Sequence, residues 1–352
     1  MNHKEEINKI IDILISQKGS DIHATVNRKP VIRVDGDLVT LEEHAKYKKE
    51  DLLEILGTLV DKEKQDEFFE KKELDFAYDY KEKYRLRGNA YFQQGNIGIA
   101  LRLIPEIKTL EELNLPDILK QFAYKEQGFF LIVGPVGQGK STTMAALIEL
   151  INQDRAEHIV TIENPIEYVF KPKRSLIEQR EIGLDTEDFS SALKGAFRQD
   201  ANVIMVGEMR DPETMMAAVT AAETGHLVFS TLHTNNAAQT IDRIIDSFPA
   251  QQQDQIRSQI SNTLLGVFSQ RLIPKVTGGL VPAYELLINN NAVANLIREK
   301  RTHEIDVVIE TGSQHGMIDM NHSLADLVKN GQISIDSARL HSLNPKVLDR
   351  LV

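Results

Sequence analysis

"GFFLIVGPVGQGKSTTMAALIELIN", residues 128–152, decides the fold of this chain. It opens on an unbroken apolar run, GFFLIV, of the length of one buried strand, and "KSTTMAALIELIN" reads as a helix. Between them Gly134 to Thr142 fit G-x-x-x-x-G-K-[ST], a loop whose glycines let main-chain N–H groups close around nucleotide phosphates. Strand, glycine-rich loop and helix in that order is the context the pattern requires. Gly134, Pro135, Val136, Gly137, Gln138, Gly139, Lys140, Ser141 and Thr142 are therefore the expected nucleotide contacts. Lys140 brings a point charge to the β and γ phosphates, and Ser141, at the helix N-terminus, can ligate Mg²⁺. ATP or GTP is the expected ligand, which alone names no task.

Downstream, "HIVTIE" (158–163), "VIMVGE" (203–208) and "HLVFSTLH" (226–233) read as further strands, giving the alternation of a parallel α/β sheet. In such a sheet ligands sit beyond the carboxyl ends of the strands. Glu163 and Glu208 end two of these runs, beside the phosphate loop, and either carboxylate suits the organisation of a metal or an attacking water. Pro165 closely follows Glu163, as where a strand stops at a site. His226 and His233 lie seven positions apart. On one strand an odd spacing points them to opposite faces, so they cannot chelate one ion together. His233, nearest the carboxyl end, is the one able to reach a γ-phosphate. From about Pro249 onward the pattern is mostly helical, including "NAVANLIREK" (291–300) and "SLADLVKNGQ" (323–332).

Upstream, Ile7, Ile10, Ile11 and Leu14 fall at helical spacing, and "KPVIRVDGDLVTL" (29–41) reads as strand, Asp35-Gly36 turn and strand. "LDFAYDY", "YRLRGNAYFQ" and "IGIALRLI" form a meander ending near Ile104. Residues 1–104 thus make an α+β domain, 105–116 ("PEIKTLEELNLP", bracketed by Pro105 and Pro116) a linker, and 117–352 the nucleotide-binding domain. A length of 352 residues with 41% hydrophobic content suits two such domains. The absence of cysteine excludes disulfides and thiolate metal sites, including a zinc ribbon. A formal charge of −11 opposes binding to nucleic-acid phosphates, so no nucleic-acid partner is expected. The charged, amphipathic start is unlike a signal peptide and no apolar run reaches a membrane span, so a cytoplasmic location is expected.

Four segments resemble the motifs of the secretion and type IV pilus motor ATPases, in their retraction branch. "GPVGQGKSTT" resembles the Walker A motif, "VIMVGEMRD" an atypical Walker B motif, "TIENPIEY" the Asp box and "TGHLVFSTLHTN" the His box. The resemblance covers nearly the whole chain, in the right order. It implies an α/β fold: a RecA-like P-loop ATPase domain behind a smaller α+β, PAS-like amino-terminal domain. It further implies Mg²⁺-dependent ATP hydrolysis, with Glu163 as the candidate general base and Glu208 organising Mg²⁺ and water. His226 and His233 would couple the nucleotide to conformation. Arg85, Arg87 and Arg102 would reach nucleotide phosphates across domain or subunit boundaries, as planar guanidinium groups can. The implied assembly is a homohexamer driving pilus retraction and twitching motility. It would dock peripherally on an inner-membrane platform protein, act on the pilin filament indirectly, and hinge near the 105–116 linker.

Two positions depart from that family's pattern. Asn164 stands where the Asp box carries aspartate, which keeps the shape and removes the charge, so slowed rather than abolished hydrolysis is expected. Ala294, in "AVANLIREKRTHE" (292–304), stands where the retraction-type helix carries its first arginine. An ordinary amphipathic helix with Val293, Leu296 and Ile297 as its apolar face explains that spacing equally well. "TGSQHGMIDMNHSLADLV" (311–328) supports the same branch. The alternatives are a pilus-assembly or type II secretion ATPase, which commonly carries a longer amino-terminal region and a four-cysteine zinc element, and a conjugation-type ATPase. From other classes come a nucleic-acid translocase and, because of Asn164, a non-catalytic nucleotide-gated adaptor.

Overall fold

The computed structural model describes residues 3–34, 36–81 and 84–352. The chain divides into two compact units, Met1–Glu106 and Ile107–Val352. Residues 107–116, expected as linker, belong to the second unit. Leu110 and Leu115 are buried there in one apolar cluster with Leu119 and Phe122, while Pro105 and Glu106 fall in the first unit.

The first unit contains strands β1 (Asp21–Thr25), β2 (Val31–Val34), β3 (Asp37–Thr40), β4 (Glu73–Tyr80), β5 (Tyr84–Gln93) and β6 (Asn96–Leu103). They form one antiparallel sheet in the order β3-β2-β1-β6-β5-β4. The helices His3–Ser16 and Lys49–Leu59 supply the core on one face. Ile7, Ile10, Ile11 and Leu14 pack in a single cluster with Ile22, Leu86, Ile99 and Leu101, as the helical spacing requires. Gly36 has φ 94°, as the hairpin turn requires, while its expected partner Asp35 lies outside the described residues.

The second unit is built on β7 (Gly128–Val133), β8 (His158–Glu163), β9 (Leu176–Glu181), β10 (Val203–Val206), β11 (Leu227–Leu232), β12 (Leu264–Pro274) and β13 (Leu280–Ile288). The order is β13-β12-β7-β11-β10-β8-β9, parallel except for the β12–β13 hairpin. Successive residues of β7 enter different clusters: Phe129, Leu131 and Val133 face one core, Phe130 and Ile132 the other. A sheet covered on both faces needs apolar residues at every position, which is why β7 reads as an unbroken run. The helix Lys140–Asp154 covers one face through Met144, Leu147, Ile148 and Ile151. Helices Phe189–Ala196, Pro212–Glu223, Ala237–Asp246 and Ala250–Thr263 cover the other.

The region after Pro249 corrects the sequence reading. Helices occur at Asn291–Arg298 and Met320–Lys329 as expected, but residues 264–288 form the long β12–β13 hairpin rather than helix. β12 inserts beside β7 and is buried on both faces, so "LLGVFSQRLIP" shows no two-residue alternation.

Candidate active site

Each expected catalytic segment lies at or just beyond a carboxyl end of the central parallel strands, except His226. The phosphate loop follows β7 and closes on the helix Lys140–Asp154, whose N-cap, Gly139, has φ 78°. Gly134 has φ 147°, and a Cβ there would lie 2.5 Å from the main-chain oxygen of Gln270, so only glycine fits. Lys140 is 7% exposed. Its Nζ donates to the carbonyls of Gly134 and Pro135, 2.8 Å each, and lies 3.3 Å from His233 Nδ1. Burial pushes its ammonium down to about 8, against the pull of the Glu208 and Glu167 carboxylates.

His233 follows β11, the neighbour of β7, and Glu208 follows β10, the next strand out. His233 Nε2 lies 3.5 Å from Glu208 Oε2, so the ring spans Lys140 on one side and Glu208 on the other. Arg210 holds the second Glu208 oxygen at 2.6 Å. Adjacent parallel strands thus set a row of lysine, imidazole and carboxylate along the opening of the loop. The side-chain hydroxyl of Ser141 and the carboxylate of Glu208 are oxygen donors of the kind a hard divalent cation takes.

Glu163 ends β8, three strands from β7, roughly 14 Å across the sheet by ordinary strand spacing. It is 5% exposed. Its Oε1 accepts from Thr161 Oγ1 at 2.6 Å and from Gln179 Nε2 at 3.1 Å. Burial pushes its carboxyl up to about 7, against those bonds and one from the Glu167 main chain. The following loop turns back toward the phosphate loop: the Tyr168 hydroxyl meets Thr142 Oγ1 at 2.8 Å. Gln179 fixes that loop with both polar atoms of its amide, donating to Tyr168 O at 2.8 Å and accepting from Phe170 N at 2.9 Å. Asn164 is exposed at its start.

His226 precedes β11 and His233 follows it, which separates them by roughly 20 Å of strand. The structure therefore does not bring His226 to the phosphate loop of its own unit. Its Nδ1 lies 3.0 Å from Ala221 O and its ring packs on Phe197.

Arg85, Arg87 and Arg102 lie on the face of the first unit's sheet opposite its core. Arg87 and Arg102 are direct cross-strand partners, and Arg102 in turn stands opposite Asp21. Arg102 Nε donates to Asp21 Oδ1 at 2.8 Å, and Arg85 Nε lies 3.8 Å from Asp79. Asp21 carries Arg33 as well, at 3.7 Å.

Several participants escaped sequence reading: Thr161 and Gln179 around Glu163, Tyr168 against Thr142, and the β12 residues Ser269, Gln270 and Arg271. Ser269 Oγ and Arg271 Nη2 hold Asn235 O and Oδ1 at 2.7 and 2.9 Å, just beyond His233. No spacing rule marks such contacts; a strand assignment for 264–274 would have placed them beside the loop.

The family profile described as "Type II/IV secretion system protein" matches residues 94–328. The chain belongs to this family. The chain is 42% identical to the type IV pilus retractation ATPase PilT of Pseudomonas aeruginosa, over 95% of this chain and 97% of that one. It is 43% identical to a twitching motility protein of Neisseria gonorrhoeae, over 90% of this chain and 84% of that one. A crystal structure of the pilus retraction motor PilT with bound ADP superposes with a TM-score of 0.92, at 43% identity, covering 98% of this chain and 99% of that one. This family member is an ATPase, with the expected RecA-like P-loop domain and a smaller amino-terminal domain of helices on an antiparallel sheet.

Proposed function

We propose that this ATPase powers retraction of type IV pili, and with it twitching motility. The observation that carries the catalytic part is the row Lys140, His233 and Glu208 laid across the ends of β7, β11 and β10. Similarity of fold over nearly the full chain to a pilus retraction motor supports the biological assignment.

In this reading the main-chain N–H groups of residues 134–142 hold the phosphates and Lys140 leaves its carbonyl partners for the β and γ oxygens. Ser141 and Glu208 would hold Mg²⁺, which supplies neutralisation of phosphate charge when bound with ATP. Glu163, with its carboxyl pushed up to about 7, has the proton affinity suited to taking a proton from an attacking water near neutral pH. His233 reports the γ-phosphate to Glu208 and to the Asn235 segment held by β12. His226, at the far end of β11, serves that strand's placement. Arg85, Arg87 and Arg102 complete the site across a domain or subunit boundary within a homohexamer. Domain closure on ATP and release after hydrolysis, passed around the ring, would move an inner-membrane platform protein and hence pilin. The motor would dock peripherally at the inner face of the cytoplasmic membrane; among the described residues no helix is long and apolar enough to cross a membrane.

Deleting the gene and counting surface pili per cell, with twitching scored alongside, tests the proposal. Excess pili without twitching are expected. Bald cells would make the chain an assembly motor, and unchanged piliation would assign it to another secretion system.

A further inference from the structure

Strand β12 grips the phosphate loop and the helix behind it at several points, and two of them are made by the side chain of Gln270. Its Nε2 donates to the main-chain oxygen of Gln138 at 2.8 Å, and its Oε1 accepts from Thr143 Oγ1 at 2.7 Å. The Gln138 side chain returns the contact, its Oε1 accepting from Leu272 N at 2.7 Å. The fit leaves no slack: a Cβ on Gly139 would lie 2.9 Å from Gln270 Nε2. Gln270 is buried, and its bond to Thr143 is shielded from competing water.

A trans peptide is planar, and its C=O and N–H point in opposite directions. The bond from Gln270 draws the Gln138 carbonyl toward β12, so the N–H of Gly139 is turned away from β12, toward the mouth of the helix Lys140–Asp154. Among the described residues the N–H groups of Gly137, Gln138 and Gly139 have no main-chain acceptor, which leaves them for an anion. The peptide has an easy alternative. Glycine at 139 tolerates either orientation, so nothing within the loop itself prevents a flip that would aim the Gln138 oxygen at a phosphate.

We infer that Gln270 is a positioning residue of the ATPase site: its side-chain amide locks the Gln138–Gly139 peptide with the Gly139 N–H facing the phosphates. The side chain touches no substrate; it acts through the loop, and its anchor is the buried hydroxyl of Thr143. A glutamine is suited to the task because one planar group carries a donor for the carbonyl and an acceptor for the hydroxyl at once.

Gln270→Glu separates these functions, since a carboxylate still accepts from Thr143 but cannot donate to Gln138 O and repels it. ADP affinity, measured by calorimetry on the full-length protein, is expected to fall about ten- to a hundredfold, the loss of one hydrogen bond to a charged group. Burying a carboxylate against that oxygen also lowers the nucleotide-free thermal midpoint, so affinity is read on the folded protein at a temperature below its transition. Should that variant fail to fold, Gln270→Met in a Thr143→Val background removes donor, acceptor and hydroxyl together, so that of the bonds Gln270 makes here only the Gln138 main-chain oxygen loses a partner without replacement. Compared with Thr143→Val alone, the same loss of ADP affinity is expected. ADP affinity within twofold of the reference in a folded variant overturns the inference. Lys140→Ala, measured in parallel, reports whether the loop binds nucleotide at all, so a failure of the lock is distinguishable from a failure of the site.

Discussion

Glu163 offers the sharpest quantitative test, because its environment ties catalysis to stability. The carboxyl has an ordinary value of 4.5 and is pushed up to about 7 by burial, with Thr161 and Gln179 recovering part of the cost of ionising it. The folded value exceeds the unfolded one, so the fold favours the neutral acid. Its stability is fully present below pH 4.5 and is lost as pH rises toward 7. At about 1.4 kcal/mol per pH unit between the two values, the loss reaches about 3 kcal/mol above pH 7.5. Glutamine at 163 keeps the shape and cannot ionise. Glu163→Gln should therefore match or trail wild type in weakly acidic buffer and gain on it as pH rises. Between pH 6 and 8.5 the difference should move by about 1.4 kcal/mol, or roughly 3 to 6 °C in thermal midpoint for a domain of this size.

Thermal unfolding of the nucleotide-free proteins across that range is the assay. A midpoint difference that stays constant from pH 6 to 8.5 would refute the reasoning, since it would mean Glu163 is already ionised in the fold at little cost. The same substitution should lower ATP turnover by roughly 10² to 10⁴, the usual contribution of a general base, while ADP still binds. A more stable protein with a dead site is the combined signature, because burial raises the proton affinity that a base needs and destabilises its ionised form by the same interaction.

Further outcomes follow from the row of residues at the strand ends. Glu208→Gln should retain ADP binding and lose turnover by roughly a hundredfold or more, measured by phosphate release; unchanged turnover would favour a nucleotide-gated adaptor. His233→Ala should lower turnover with little change in thermal midpoint, whereas His226→Ala should cost about 1 kcal/mol of stability through the lost contact to Ala221 O and leave ADP affinity unchanged. Asn164→Asp should raise turnover above a measurable wild-type rate, and an inactive wild type rescued by the change would show that Asn164 abolishes hydrolysis rather than slowing it.

What sequence could and could not reveal divides along a physical line. β7, β8, β10 and β11 were legible because strands covered on both faces must be apolar throughout, and the phosphate loop was legible because backbone wrapped around an anion requires glycine at fixed spacing. Lys140 belonged to that loop pattern, and Glu163, Glu208 and His233 announced themselves as charged or titratable groups at the ends of the apolar runs. β12 obeys the same burial yet carries Ser269, Gln270 and Arg271 in its middle, so it shows no unbroken apolar run to mark it as a strand. They are buried because each meets a partner far away in the chain: Thr143 for Gln270, Asn235 for Ser269 and Arg271. A buried polar side chain without its partner is costly, and with it is specific, but the pairing exists only in three dimensions.

The same distinction explains why one strand could hide so much of the site. Residues that touch a nucleotide are constrained by the nucleotide's chemistry, which is common to many folds and so leaves a recognisable pattern. Residues that hold those contacts in place are constrained by one local packing arrangement, and many side chains could serve in a differently shaped neighbourhood. Gln179 behind Glu163 and Gln270 behind the phosphate loop are both of this second kind, and both are amides able to donate and accept at once. Each fixes a flexible loop without adding charge next to a carboxylate or a phosphate. A carboxylate in either place would raise the proton affinity of Glu163 or repel the nucleotide, and a lysine or arginine would hold Glu163 ionised or compete with Lys140 for the phosphates. Neutral, two-sided hydrogen bonding is what lets the loops be rigid while the charges that do the chemistry are left to Lys140, Glu163 and Glu208.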